Sequence, residues 1–157
     1  EQADMTGAKV MGANLAQSVL QKVKLVGARI LGVNLAESQL DEADLTGAKL
    51  MGTSLEKSSA AGADLTGTRI AGSSFKEADL NGAKLTGSVL KRIDVTGADF
   101  TGVDTDRARY KKIDWSQAKV QPDPLPEELP GVPPWVPPVV VVGLILLIVL
   151  LKKKRRD

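Results

Sequence analysis

A period of five residues governs this chain from Met5 to Val120. Every fifth position from Met5 (Val10, Leu15, Leu20, Leu25 and onward) is apolar, and among 24 such centres only Thr105 is not. Two residues before each centre the side chain is small: Ala twelve times, Ser five and Thr two, with Val23, Val33, Ile93, Val103 and Ile113 as exceptions. Two residues after the centre, Gly occurs thirteen times. Neither the 3.6-residue period of an α-helix nor the two-residue period of a flat strand keeps such positions on one side. The chain must therefore turn regularly. Four five-residue units close a square coil with the centre and the minus-two residue inside. Glycine at plus two suits the corner, where positive φ is needed and a Cβ would crowd the next coil. Twenty-four units over four sides predict six coils, a rod about 29 Å long at a strand spacing of about 4.8 Å.

One full turn should bring like environments into vertical columns every 20 residues. The Gly pairs at 7/12, 27/32, 47/52 and 67/72 recur at that interval. A leucine-rich repeat or a hexapeptide helix needs a different spacing. Segments such as Ala43-Asp44-Leu45-Thr46-Gly47, Ala63-Asp64-Leu65-Thr66-Gly67 and Ala78-Asp79-Leu80-Asn81-Gly82 resemble the pentapeptide-repeat family, and the resemblance covers about residues 2–121. It implies a right-handed quadrilateral parallel β-helix with a filled interior, and it implies no activity. Bulged or widened coils are expected where Val23, Val33, Ile93, Thr105 and Ile113 depart from the favoured types.

All eight prolines lie between residues 122 and 138. This composition divides the chain into a β-helix at 1–121, a proline-rich linker at 122–137, a transmembrane helix at 138–154 and the end of a basic tail at 155–157. The linker reads as a stiff polyproline II spacer of ~45 Å. The competing reading makes Pro122, Pro124 and Pro126 bait for a proline-binding module. Val139 to Leu151 carry no polar side chain. Trp135 suits the membrane interface, and Lys152, Lys153 and Lys154 can snorkel. The expected anchor therefore comprises Trp135, Val139, Leu144, Leu147, Leu151 and Lys152–Lys154, with about 25 Å of helix. A hydrophobic helix docked on a partner protein is the alternative.

By the positive-inside rule, Lys152–Arg156 stay cytoplasmic and the repeats sit on the other side of the membrane. The start at Glu1 reads as a mature terminus after removal of a targeting peptide. A tail-anchored cytosolic adaptor is the opposite topology.

Chemistry is poorly supplied. There is no Cys and no His, and 21 basic residues nearly cancel 19 acidic ones. The recurring Gly-x-x-x-x-Gly is a product of the period and lacks the Lys-Ser/Thr pair of a phosphate loop. Ser58-Ser59 and Ser73-Ser74 have no base partner. Asp41-Glu42, Asp94, Asp99 and Asp104 fit solvated surface positions better than acid–base or Ca²⁺ roles. No catalytic residue, metal or cofactor is assigned.

One surface pattern exceeds background. The residues before the second-side centres are Lys9, Arg29, Lys49, Arg69, Val89 and Arg109; those after them include Met11, Leu31, Met51 and Ala71. A basic stripe beside an apolar one marks Lys9, Met11, Arg29, Leu31, Lys49, Met51 and Arg69 as a candidate partner-binding face. A competing expectation is that these cations merely cover the sheet and face carboxylates on neighbouring sides. The expected function is a non-enzymatic, membrane-anchored scaffold whose partners are a membrane protein complex and the lipid bilayer. Family analogy suggests an accessory subunit of a photosynthetic complex in thylakoids, with the repeats in the lumen. Mimicry of the topoisomerase-protector type is the alternative. Neither nucleic acid nor a small-molecule substrate is expected.

Overall fold

The computed structural model describes residues 3–131. The second unit of each coil forms a three-residue strand: β1 Lys9–Met11, β2 Arg29–Leu31, β3 Lys49–Met51, β4 Arg69–Ala71, β5 Val89–Lys91 and β6 Arg109–Lys111. A two-residue strand, β7 Glu127–Glu128, completes one parallel sheet in chain order. From β1 to β6 the register advances by one 20-residue turn, as in Lys9↔Arg29 and Arg29↔Lys49. Single parallel bridges carry the other three sides, as in Asp4↔Lys24, Asn14↔Asn34 and Val19↔Gln39. The chain is thus an all-β parallel solenoid of about six turns with four walls. Leu25, Leu45 and Leu65 lie buried along one wall, behind the bridge column Lys24–Asp44–Asp64.

Centres and minus-two residues fill the axis together. Leu35, Leu50, Ile70, Phe75 and Phe100 are buried, and Ala28, Ala43, Ala48 and Ala63 close the space between them. Three of the polar minus-two residues satisfy themselves locally, whereas the buried Ser88 hydroxyl finds no partner among the described residues. The hydroxyls of Ser38, Ser58 and Thr68 donate to the carbonyls of Leu35, Leu55 and Leu65 at 2.6–2.8 Å. Val23 and Val33 remain buried in unbroken register; Ile93 is also buried, but the bridge column beside it ends at Ser74↔Asp94, where the last coil begins to depart from the repeat.

Of the two reasons expected for glycine at the corner, positive φ holds and crowding does not. The plus-two residue is left-handed whether it is Gly47 (φ 66°) or Glu42 (φ 55°). A Cβ built on Gly47 would meet nothing within 4 Å; only at Gly97 does one come close, 3.2 Å from Glu77 Cγ. The favoured residue is thus set by φ, and Glu42 tolerates the same corner at a cost of about 1–2 kcal/mol.

Asp and Asn at minus one hold the turns of the other sides. Asp44 Oδ1 accepts from the Thr46 N–H, and Asp64 and Asp99 do the same for Thr66 and Thr101, each at 3.0 Å. At Asp94 and Asp99 such bonds favour the ionised carboxyl. Asp94 is held below the usual carboxylate value of 3.8 by the Thr96 hydroxyl, then by the Thr96 N–H and Lys76. Asp99 is lowered by the Thr101 hydroxyl, then by Lys119 and the Thr101 N–H. With the folded value below the unfolded one, the stabilisation is complete above pH 3.8 and is lost as pH falls through the lowered folded values. The thermal midpoint should therefore hold from neutrality to about pH 5 and drop below about pH 4. Asp94→Asn with Asp99→Asn keeps an acceptor in each turn but not the charge, so it should lower the neutral midpoint toward the acid value and leave a shallower acid limb. An unchanged acid limb would refute the assignment.

The end of the rod departs most from expectation. After Ile113, Asp114 accepts from the Ser116 N–H at 3.1 Å and caps a 3-10 turn at Trp115–Gln117. One extra residue is accommodated there, so Asp99 bridges Val120 rather than residue 119. The last centre of the five-residue count, Val120, consequently turns outward and is 37% exposed. Trp115 stays inside, edge-on to Phe100 at 5.3 Å and to Tyr110 at 5.7 Å.

Residues 122–131, expected to begin a free spacer, instead fold onto the sixth coil. Glu127 N–H donates to Ala108 O at 2.9 Å and Leu129 N–H to Tyr110 O at 2.7 Å. Pro126 and Pro130 occupy the alternate positions, where β7 needs no donor toward β6. Thr105, the polar centre, is buried in register, and its hydroxyl donates to Pro124 O at 2.6 Å. At the opposite end Met5, Val10, Leu15 and Leu20 are only partly buried. The expected membrane helix 138–154, with Trp135, Val139, Leu144, Leu147, Leu151 and Lys152–Lys154, lies outside the described residues. Among the described residues, no helix is long and apolar enough to cross a membrane.

Candidate functional site

The sheet β1–β7 differs from the other walls because its ladder runs through three residues per coil instead of one. With the ladder continuing through plus one, no Asx turn forms on this side and no carboxylate is called for at minus one. The register sets Lys9, Arg29, Lys49 and Arg69 side by side, and Met11, Leu31, Met51 and Ala71 beside them. All seven residues of the expected face therefore share one surface. Met11 and Met51 are 67% and 51% exposed, which is costly for apolar side chains without a contact.

Charge is distributed unevenly around the rod. On the other sides most cations meet carboxylates, several of them one coil away: Lys22–Glu42 at 3.3 Å, Lys84–Asp64 at 3.7 Å and Lys119–Asp99 at 3.0 Å. On the β1–β7 face, Lys9, Arg29, Lys49, Arg69, Lys91, Arg109 and Lys111 enter no ion pair among the described residues. The carboxylates on adjacent walls expected to balance these side chains do not pair with them among the described residues.

The two stripes change places near the fifth coil. At minus one the column runs Arg69, Val89, Arg109; at plus one it runs Ala71, Lys91, Lys111. Ala71 and Val89 are the shortest outward side chains on the face, and a hollow of about 480 Å³ opens above them. Met51 and Leu129 wall it, and Lys49, Arg69, Lys91 and Arg109 line it. Lys91 and Lys111 were readable by following the plus-one column two coils further. Leu129 was not, because the repeat ends before β7.

The side chains considered for catalysis have structural duties. Ser58 is bonded to Leu55 O, Ser59 to Asp41, and Asp94, Asp99 and Asp104 cap turns. Among the described residues no group of three or more acidic, His or Cys side chains could hold a metal ion.

The profile of pentapeptide repeats matches the sequence in eight copies, within residues 1–35, 18–56, 31–67 and 63–102. The chain belongs to the pentapeptide-repeat family. Among solved members, one from the Arabidopsis thaliana thylakoid lumen is 26% identical, with a TM-score of 0.62 over 63% of this chain and 69% of that one. The pentapeptide-repeat protein Rfr23 of the cyanobacterium Cyanothece 51142 is 22% identical, with a TM-score of 0.58 over 72% of this chain and 88% of that one, and attests the fold alone. The plasmid-mediated fluoroquinolone resistance protein QnrB1, 18% identical with a TM-score of 0.42 over 76% of this chain and 75% of that one, is too distant to carry an argument. No curated protein matches the chain.

Proposed function

We propose that this pentapeptide-repeat protein is a non-enzymatic, membrane-tethered interaction subunit that docks on a membrane protein complex through the β1–β7 face. One observation carries the reading: all seven cations of this face stand unpaired beside exposed Met11 and Met51, while on the other walls Lys22, Lys57, Lys76, Lys84, Arg107 and Lys119 pair with carboxylates and only Lys24, Arg92 and Lys112 do not, among the described residues. Such a surface is complementary to an acidic, partly apolar partner. β7 belongs to the same sheet, and the apolar run at 139–151 follows it closely in the sequence; read as a bilayer span, that run tethers this face to the membrane. Likeness to a thylakoid-lumen member of the family supports the lumenal side of thylakoids as its place.

Mild-detergent isolation from the native membrane tests the docking. A discrete complex should accompany the protein, and Arg29→Glu with Lys49→Glu and Arg69→Glu should release it. Co-purification unchanged by the three reversals removes the face from the function. Protease added outside sealed thylakoid vesicles should leave the rod intact; cleavage from the stromal side reverses the topology.

A further inference from the structure

The hollow over Ala71 and Val89 says more about the partner than the stripe does. A flat apolar–basic wall could rest on many surfaces, whereas a recess of about 480 Å³ with a short-side-chain floor and four cations around it needs something that protrudes. Lys91, Arg92, Lys111 and Lys112 extend the positive field beside it. Among the described residues no carboxylate is within ion-pairing distance of the lining cations.

The chain itself shows the matching chemistry at the hollow's edge. Glu127-Glu128-Leu129-Pro130 is an extended acidic segment, with Glu127 in register beside Arg109 and Leu129 against the hollow. Arg69 and Arg109 are two coils apart, about 10 Å. In an extended polyproline-like chain, residues three apart share a side at about 9 Å. Two carboxylates so spaced, with an apolar side chain between them, would meet both arginines and fill the recess.

We infer that the hollow receives an extended acidic segment of the partner protein, carboxylates on Arg69 and Arg109 and an apolar side chain over Ala71. The chain's own tail is a poor occupant, because its apolar run is followed by Lys152–Arg156, which this field repels. The inference rests on the docking role of the face proposed above.

The test uses the full chain in neutral detergent and a fluorescent peptide, Glu-Glu-Leu-Pro-Glu, with its Gln counterpart as control. Anisotropy should show salt-sensitive binding of the Glu peptide only. Arg69→Glu with Arg109→Glu should weaken it about tenfold or more. Ala71→Met, which fills the recess without altering charge, should weaken it about fivefold. Both sets of side chains point outward, and unchanged melting midpoints verify the fold. Equal binding of the Gln peptide, or indifference to Ala71→Met, overturns the inference. So does loss of peptide binding when phosphatidylglycerol is added to phosphatidylcholine vesicles carrying the protein, since the face then lies on lipid. Failure to float with pure phosphatidylcholine vesicles would instead undo the tether and leave the peptide result standing.

Discussion

Phe75→Ala is expected to lower unfolding stability by about 3–5 kcal/mol, read as a fall in the urea midpoint at unchanged slope. Phe75 is a fully buried centre in the fourth coil, with Leu90, Val95 and Phe100 around the small gap beside it. Its wall is pinned above and below by the bridges Ser54↔Ser74 and Ser74↔Asp94, so the backbone cannot collapse inward to fill the void. A rod also gives each coil contacts only to its two neighbours, which leaves no distant packing to compensate. Phe75→Leu retains most of the volume and should cost no more than about 1.5 kcal/mol. A loss below 1 kcal/mol for the Ala variant would mean that the axis is not packed as described.

Trp115→Ala should cost nearly as much, about 3–5 kcal/mol, through the end of the rod rather than its middle. The indole is buried against Phe100 and Tyr110 and closes the axis where the regular coils stop. Removing it exposes that axis and loosens the turn at Trp115–Gln117, so trypsin should cut sooner after Lys111, Lys112 and Lys119. Trp115→Phe separates packing from polarity. The indole Nε1 is buried and has no hydrogen-bond partner among the described residues. Phe keeps much of the edge-on packing and removes the unsatisfied donor, so a change within about 1 kcal/mol is expected. If Phe were as damaging as Ala, the indole N–H would have to be bonded after all.

The repeat made the winding readable because each turn imposes the same demand at the same place. Leu25, Leu45 and Leu65 lie along one wall for the reason that puts 20 residues in a turn, and Lys9 and Arg29 align for the same reason. Where the demand is met in another way, the pattern fails. Val120 follows the count but not the fold, because an Asp-capped turn adds a residue before it. β7 has no repeat to announce it; two backbone donors and the Thr105 hydroxyl attach a segment whose prolines pointed to an open spacer. Thr105 looked like a defect in the column and is instead the point of attachment. On the candidate face the columns gave the residues, whereas the hollow depends on relative side-chain length and on Leu129, which arrives from outside the period.

The 20-residue turn also sets which dimension of this molecule is free to change. A block of 20 residues added or removed ahead of Lys49 would keep every later residue on its wall. The recess, the two arginines flanking it and β7 would keep their mutual spacing. Storeys can thus be gained or lost ahead of Lys49 without moving the recess relative to β7, so overall height and the placing of this surface are separable traits in this architecture.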